Sequence, residues 1–290
     1  MNNLVRAITV DGGVVCIAID STDIAARSET IHATSAVVSA GLGRLLTAAA
    51  MMGSMMKEAE HTVTLRMAGG GEVGSLIAVA DGRGNVHGYP TNPVVELPLN
   101  EHGKLDVATA VGTDGFLAVI KDLGQGEPIS GYSPIVSGEV AEDITYYYAI
   151  SEQVPTVCSL GVLVAPDLKV QAAGGFLIQL LPGAEESMID TIEANIAAMP
   201  AISTMIDEGN APLDIIAACL KGFEFDVLDE REAAYVCNCS RERVEKALIS
   251  LGSAELKKMA EEDPMTEVNC HFCPKKYRFS SEELLRLASS

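Results

Sequence analysis

Four cysteines near the C-terminus constrain this chain more than any other feature. Cys237 and Cys239 form a C-x-C pair and Cys270 and Cys273 a C-x-x-C pair, with 30 residues between the two. Two close pairs joined by a loop suit one tetrahedral zinc ion, which takes four thiolates at about 2.3 Å. A thiolate that holds zinc can also be oxidised, so the same residues are candidates for redox chemistry. His271 lies between Cys270 and Phe272 and is an alternative ligand. Four sulfurs already complete the shell, so a supporting or solvent-facing place is expected for it.

These cysteines sit in a segment that needs them. Residues 231–290 hold short helices and little apolar surface, which makes them marginal as an independent domain. Structural zinc contributes on the order of 10–16 kcal/mol to the folding of small domains. Ser240 is placed to cap a helix bearing Val244, Ala247, Leu248 and Leu251, stopped by Gly252. A helix N-terminus stabilises negative charge, which favours the thiolate of the preceding Cys239. A second helix runs from Ser253 through Met259, and Ser280 with Glu283 forms a capping box for a last helix. Four-cysteine zinc sites in general are structural and inert, and two features bring a redox-sensitive site into consideration here. Each pair is close enough to close as a disulfide, and the C-x-C ring is strained and easily reduced.

Charge is unevenly distributed. The chain carries 20 basic and 40 acidic residues, of which 231–290 hold 10 of each. The whole net charge of −20 therefore sits on residues 1–230, and the shift marks a boundary near 230. Such a balance argues against nucleic acid, whose phosphates attract Lys and Arg. Met1 leads straight into the alternating LVRAITV and not into an export signal, so a cytoplasmic location is expected. There, clustered cysteines are metal ligands or redox groups more often than structural disulfides. The apolar run 34–56 is long enough for a membrane, but Arg44, Gly41, Gly43 and Gly53 interrupt it; a core helix is expected, and no membrane partner.

The periodicities predict an α+β chain. Residues 1–20 read as a hairpin turning at Asp11-Gly12-Gly13, followed by the Ala/Met helix. Strands are expected at 62–67, 75–80, 86–89, 116–122 and 130–137, a short helix at 143–152, and a hairpin over 160–182. Many strands joined by turns give a mainly antiparallel sheet domain over 1–183. The period then changes: Ile189, Ile192, Ile196 and Met199 share one helical face, and further helices are expected at 202–208 and 212–220. Residues 184–230 thus form an amphipathic helical linker to the C-terminal domain 231–290.

Other features carry less chemistry. Gly69, Gly71 and Gly74 match G-x-G-x-x-G, yet a strand and a turn follow where a dinucleotide site needs a helix. Asp106, Asp114 and Asp122 are scattered surface carboxylates, and Tyr146, Tyr147 and Tyr148 are part-packed aromatics. Cys16, Cys158 and Cys219 stand alone in apolar stretches and read as buried small hydrophobes. No catalytic residue emerges.

The segments CNCSRERVEKALISLG (237–252) and CHFCPKKYRF (270–279) closely resemble the zinc domain of the 33 kDa chaperonin family, redox-regulated heat-shock chaperones of bacteria. The segments at 103–112, 147–155 and 172–183 resemble core segments of that family, in the expected order, so the resemblance covers essentially the whole chain. It implies an ATP-independent holdase, not an enzyme, that is inactive when reduced and zinc-bound. Oxidation would convert Cys237–Cys239 and Cys270–Cys273 to disulfides, release zinc, unfold the linker and expose apolar surface to unfolding client proteins. The active form would be a homodimer. Residues 68–73 depart from the family in lacking a Glu before the glycines and a Pro after them. Cys16, Cys158 and Cys219 lie outside the motif and are further candidates for disulfides. Two other functions compete: a thiol–disulfide oxidoreductase using Cys270 and Cys273, and a zinc-ribbon interaction module.

Overall fold

The computed structural model describes residues 3–289, the side chain of residue 186 excepted. It is α+β and divides into two compact units, Met1–Val236 and Cys237–Ser290. The first unit holds two five-stranded sheets in which all neighbouring strands run antiparallel.

The chain opens with β1 (Leu4–Thr9), β2 (Val14–Asp20), α1 (Thr22–His32) and α2 (Ala36–Ser54). The second sheet follows as β3 (Thr62–Ala68), β4 (Leu76–Asp81), β5 (Val86–Pro90), then α3 (Val107–Val111), β6 (Phe116–Asp122) and β7 (Ile129–Pro134). Next come α4 (Ala141–Tyr147), a π-turn at Tyr148–Glu152, and the long strands β8 (Thr156–Val164) and β9 (Val170–Leu180). The first sheet reads β8-β9-β2-β1 across with a fifth strand, residues 225–231, beside β1, and the second reads β5-β4-β3-β6-β7.

Helix α2 is the Ala/Met run, and its small residues have a reason. It packs against strands of both sheets, and almost every residue along it is buried. A Cβ on Gly53 would sit 2.6 Å from the Asp81 carbonyl oxygen, so the backbones meet there only without a side chain. By length and composition this helix could cross a membrane, yet here it is the centre of the core. Arg44, the charge within it, is ion-paired to Glu139.

The first sheet is apolar on both faces. Ile17 and Ile19 of β2 point into the α2 core, while Cys16 and Ala18 point the other way. Period-two alternation with both sets apolar requires a cover on each side. That second cover is the linker: α5 (Glu186–Ala198), α6 (Ile202–Asp207) and α7 (Pro212–Cys219). Met188, Ile192, Ile202, Met205, Ile206, Ile215 and Ile216 are buried in one cluster with Val5, Ala7, Val14, Ala18, Ala172, Phe176 and Ile178 of the sheet. Glycines in the sheet let α6 approach closely; a Cβ on Gly174 would lie 2.1 Å from Ile206 Cδ1 and 2.4 Å from the Ile19 carbonyl oxygen.

Five elements differ from expectation: α1, the short α3, and the strands β10 (Phe225–Arg231), β11 (Met265–Asn269) and β12 (Lys276–Ser280). The periodicity predicts no helix between the first hairpin and α2, but α1 forms there; its buried residues include Ser28 and Glu29, so no apolar stripe advertises it. The linker does not stay helical to its end, because β10 (Phe225–Arg231) pairs with β1 as an edge strand. Its acidic side chains hide the alternation. In the second unit a hairpin of β11 (Met265–Asn269) and β12 (Lys276–Ser280) joins the expected helices α8 (Arg241–Ser250), α9 (Ser253–Glu262) and α10 (Ser281–Leu287).

Candidate metal centre

Two turns of the second unit deliver the four cysteines. Cys237 and Cys239 lie just before α8, whose N-cap Ser240 accepts a hydrogen bond from the Arg243 amide at 3.3 Å. Cys270 and Cys273 lie in the turn between β11 and β12, which is closed by the Cys270 amide donating to the Lys275 carbonyl at 3.0 Å. The four Sγ atoms all lie within 4.8 Å of one another. Cys237 and Cys270 are 3.7 Å apart, Cys239 and Cys273 3.4 Å.

These spacings suit a bound ion. A tetrahedral centre with metal–sulfur bonds of about 2.3 Å has sulfur–sulfur edges of about 3.8 Å. Backbone amides support the charge: the Cys239 N–H donates to Cys237 and the Lys275 N–H to Cys273. The Tyr277 hydroxyl donates to Cys239 Sγ at 3.1 Å. Burial opposes ionisation of Cys239, but hydrogen bonds from Tyr277 and the neighbouring thiols outweigh it and bring its pKa down to about 7. Burial pushes the Cys237 and Cys273 thiols up, and the thiolate beside it pushes the Tyr277 phenol up to about 12. All four cysteines are half-buried, so small oxidants can reach them.

The surrounding core is thin. Leu248, Leu256, Phe279 and Leu284 are its fully buried apolar side chains. Arg241 stacks its guanidinium 4.3 Å from the centre of the Phe279 ring and pairs with Glu283 at 2.7 Å. The capping box at Ser280 and Glu283 is present, with the Ser280 amide donating to Glu283 at 2.8 Å.

Tyr277 was not singled out by the spacing of the cysteines. The signal was available in period two: Tyr277 and Phe279 share one face of β12, opposite Val268 and Thr266 of β11. His271 is exposed and outside the sulfur cluster. Gly69, Gly71 and Gly74 form a bend between β3 and β4 with no helix after it; a Cβ on Gly69 would lie 2.0 Å from the Gly112 carbonyl oxygen. Asp106 caps α3 through the Thr109 amide at 3.0 Å, and Asp114 and Asp122 are exposed. Tyr147 and Tyr148 are buried, and Tyr146 is exposed. Cys16, Cys158 and Cys219 are buried, and burial pushes Cys158 up to about 12.

A two-sheet unit with a covered apolar face, followed by a small unit built on four clustered thiols, defines the class: a protein with a C-terminal four-cysteine module of a geometry that could hold a metal ion. The family model described as Hsp33 protein matches residues 2–280, and the chain belongs to that family. It is 46% identical over 284 residues to the 33 kDa chaperonin of Clostridioides difficile (strain 630), covering 98% of this chain and 97% of that one. The 33 kDa chaperonin of Acetivibrio thermocellus is 45% identical over 284 residues, covering 98% and 96%. Among solved structures, the 33 kDa chaperonin (heat shock protein 33 homologue) of Thermotoga maritima superposes with a TM-score of 0.89 at 36% identity, covering 100% of this chain and 98% of that one.

Proposed function

We propose that this chain is a redox-regulated, ATP-independent holdase of the cytoplasm, acting under oxidative stress on unfolding client proteins. One observation carries the proposal: four half-exposed sulfurs within 4.8 Å of one another lie in a unit with only a thin apolar core of its own. In the reduced state Cys237, Cys239, Cys270 and Cys273 hold zinc. When bound, zinc joins the two cysteine turns and so supplies much of the folding energy of residues 231–290.

Oxidation acts on the ligands. Cys237 pairs with Cys239, and Cys270 with Cys273, which withdraws all four thiolates from the metal. The nearest sulfur contacts run between the pairs, and the local pairing draws on sulfurs that all lie within 4.8 Å of one another. With its ligands gone the tail unfolds, and the linker 184–230 loses its folded neighbour in the chain. Departure of α5, α6 and α7 would bare two matched apolar surfaces, the linker face and the outer face of β1, β2 and β9. Contiguous apolar patches of this kind bind other unfolded chains, and the net charge of −20 keeps the opened protein soluble. The opened form associates as a homodimer. None of the chain's residues is assigned a catalytic role.

The test measures metal release and suppression of aggregation of a heat-denatured client in parallel during a peroxide titration. The two should rise together. Metal-free oxidised protein that leaves aggregation unchanged would remove the chaperone assignment.

A further inference from the structure

The seam between linker and sheet holds sulfur that the metal centre does not explain. Cys16 on β2 and Cys219 at the end of α7 are both 0% exposed and belong to one apolar cluster. Helix α7 packs directly on β2, which brings the two thiol groups to the same side of the seam, and Cys219 is the neighbour that acts on the Cys16 thiol. Cys219 also donates to Met199 Sδ at 3.8 Å, just beyond the end of α5. Asn195 of α5 fixes the chain there, its side-chain amide donating to the carbonyls of Cys219 at 3.0 Å and Lys221 at 2.8 Å. Cys158 takes no part, since it belongs to the other cluster, around α2.

We propose that Cys16 and Cys219 are a second redox couple, a dithiol that a hydroperoxide closes to a disulfide, pinning linker helix α7 to strand β2. The chemistry balances in two steps. One sulfur attacks the peroxide O–O bond, giving a sulfenic acid and releasing water or an alcohol. The partner sulfur then attacks the sulfenic sulfur; the S–S bond forms and water leaves with both thiol protons accounted for. Two electrons pass from the sulfurs to the peroxide.

Burial sets the order of events. The thiols of the metal centre are half-exposed and react first. The neighbouring Cys219 thiol, together with burial, holds the Cys16 thiol well above the ordinary range, so the couple reacts slowly and through local opening. It can close only while α7 is seated, because departure of the linker separates the two sulfurs. Closure therefore opposes linker release. That consequence rests on the function proposed above, whereas the pairing itself does not.

The full chain is treated with hydrogen peroxide in the cold, where the linker stays seated. Remaining thiols are alkylated in denaturant and the unreduced peptides mapped by mass spectrometry. A joined peptide containing Cys16 and Cys219 is expected, and needs no variant to detect. Recovery of both as alkylated thiols after the metal-centre cysteines have fully oxidised overturns the couple, as does Cys219 joined to any of those four. As a second measurement, cold-oxidised wild type is warmed with a client beside an identically treated Cys16→Ala variant. Client protection should develop severalfold more slowly in the wild type, and equal rates overturn the pinning. If neither protein protects the client, the chaperone reading falls while the peptide map still decides the pairing.

Discussion

Tyr277 donates its hydroxyl to Cys239 Sγ at 3.1 Å, tying strand β12 to the turn that precedes α8. The bond favours the thiolate form of Cys239, because a negatively charged sulfur is much the better acceptor. It therefore links the hairpin of the second unit to the ionisation of a proposed metal ligand. Tyr277→Phe removes the bond with little change of shape. Supporting partners of metal ligands typically contribute 10–100-fold in affinity, and a half-buried phenol bonded to a single sulfur belongs at the lower end, roughly tenfold. Competition with a chromogenic chelator reads this directly, and an unchanged affinity would show the bond to be incidental.

Acid should release the metal. Cys239 titrates at about 7, below an ordinary thiol, so its thiolate contributes stability that is fully present above the ordinary thiol pKa and lost as pH falls through about 7. Cys237 and Cys273 are shifted upward and recapture protons whenever the ion leaves. Metal release between about pH 8 and about pH 7 should take up at least about two protons per ion, so apparent affinity falls roughly a hundredfold or more per pH unit. Chelator titrations at several pH values give the slope, and a flat dependence contradicts thiolate ligation.

Weakening the linker cover should lower the threshold for opening. Ile216 is fully buried where α7 meets the first sheet. Ile216→Ala leaves a cavity that costs about 2–5 kcal/mol. Amide exchange in α5 to α7 should accelerate while β3 and β6 keep their protection, because the loss falls on a locally opening element. Equal acceleration throughout would show that the linker does not open separately.

Gly174→Ala attacks the same seam from the sheet side. The new methyl group would collide with the Ile19 carbonyl oxygen and with Ile206 Cδ1, which α6 cannot clear without shifting. Overpacking of this kind costs about 1–3 kcal/mol. The variant should suppress client aggregation after milder oxidation than wild type; wild-type behaviour would show that α6 tolerates the shift.

Local signals were readable in the sequence where chemistry is short-range. The convergence of Cys237, Cys239, Cys270 and Cys273 follows from their spacing, and the caps at Ser240 and Ser280 follow from side-chain oxygens preceding helical runs. The glycines at 69, 71 and 74 were legible as a bend because a strand follows them. What the sequence hid was tertiary. Strand β10 is recognisable only once β1 offers it an edge, and α1 buries Ser28 and Glu29 in place of an apolar stripe. The meeting of Cys16 with Cys219 depends on α7 folding back onto β2, which no local pattern encodes. Glu29 illustrates the same point, since its burial is compensated by the Val170 amide at 3.0 Å and by Lys169 at 2.7 Å, residues far along the chain.

The most direct test of the central claim is amide hydrogen exchange on the reduced full-length protein, before and after metal removal by a chelator. Removal should collapse protection in α8, β11 and β12 while β3 and β6 stay protected. A reduced, metal-free protein whose last two strands exchange as slowly as before would contradict the claim that bound metal holds the C-terminal unit folded.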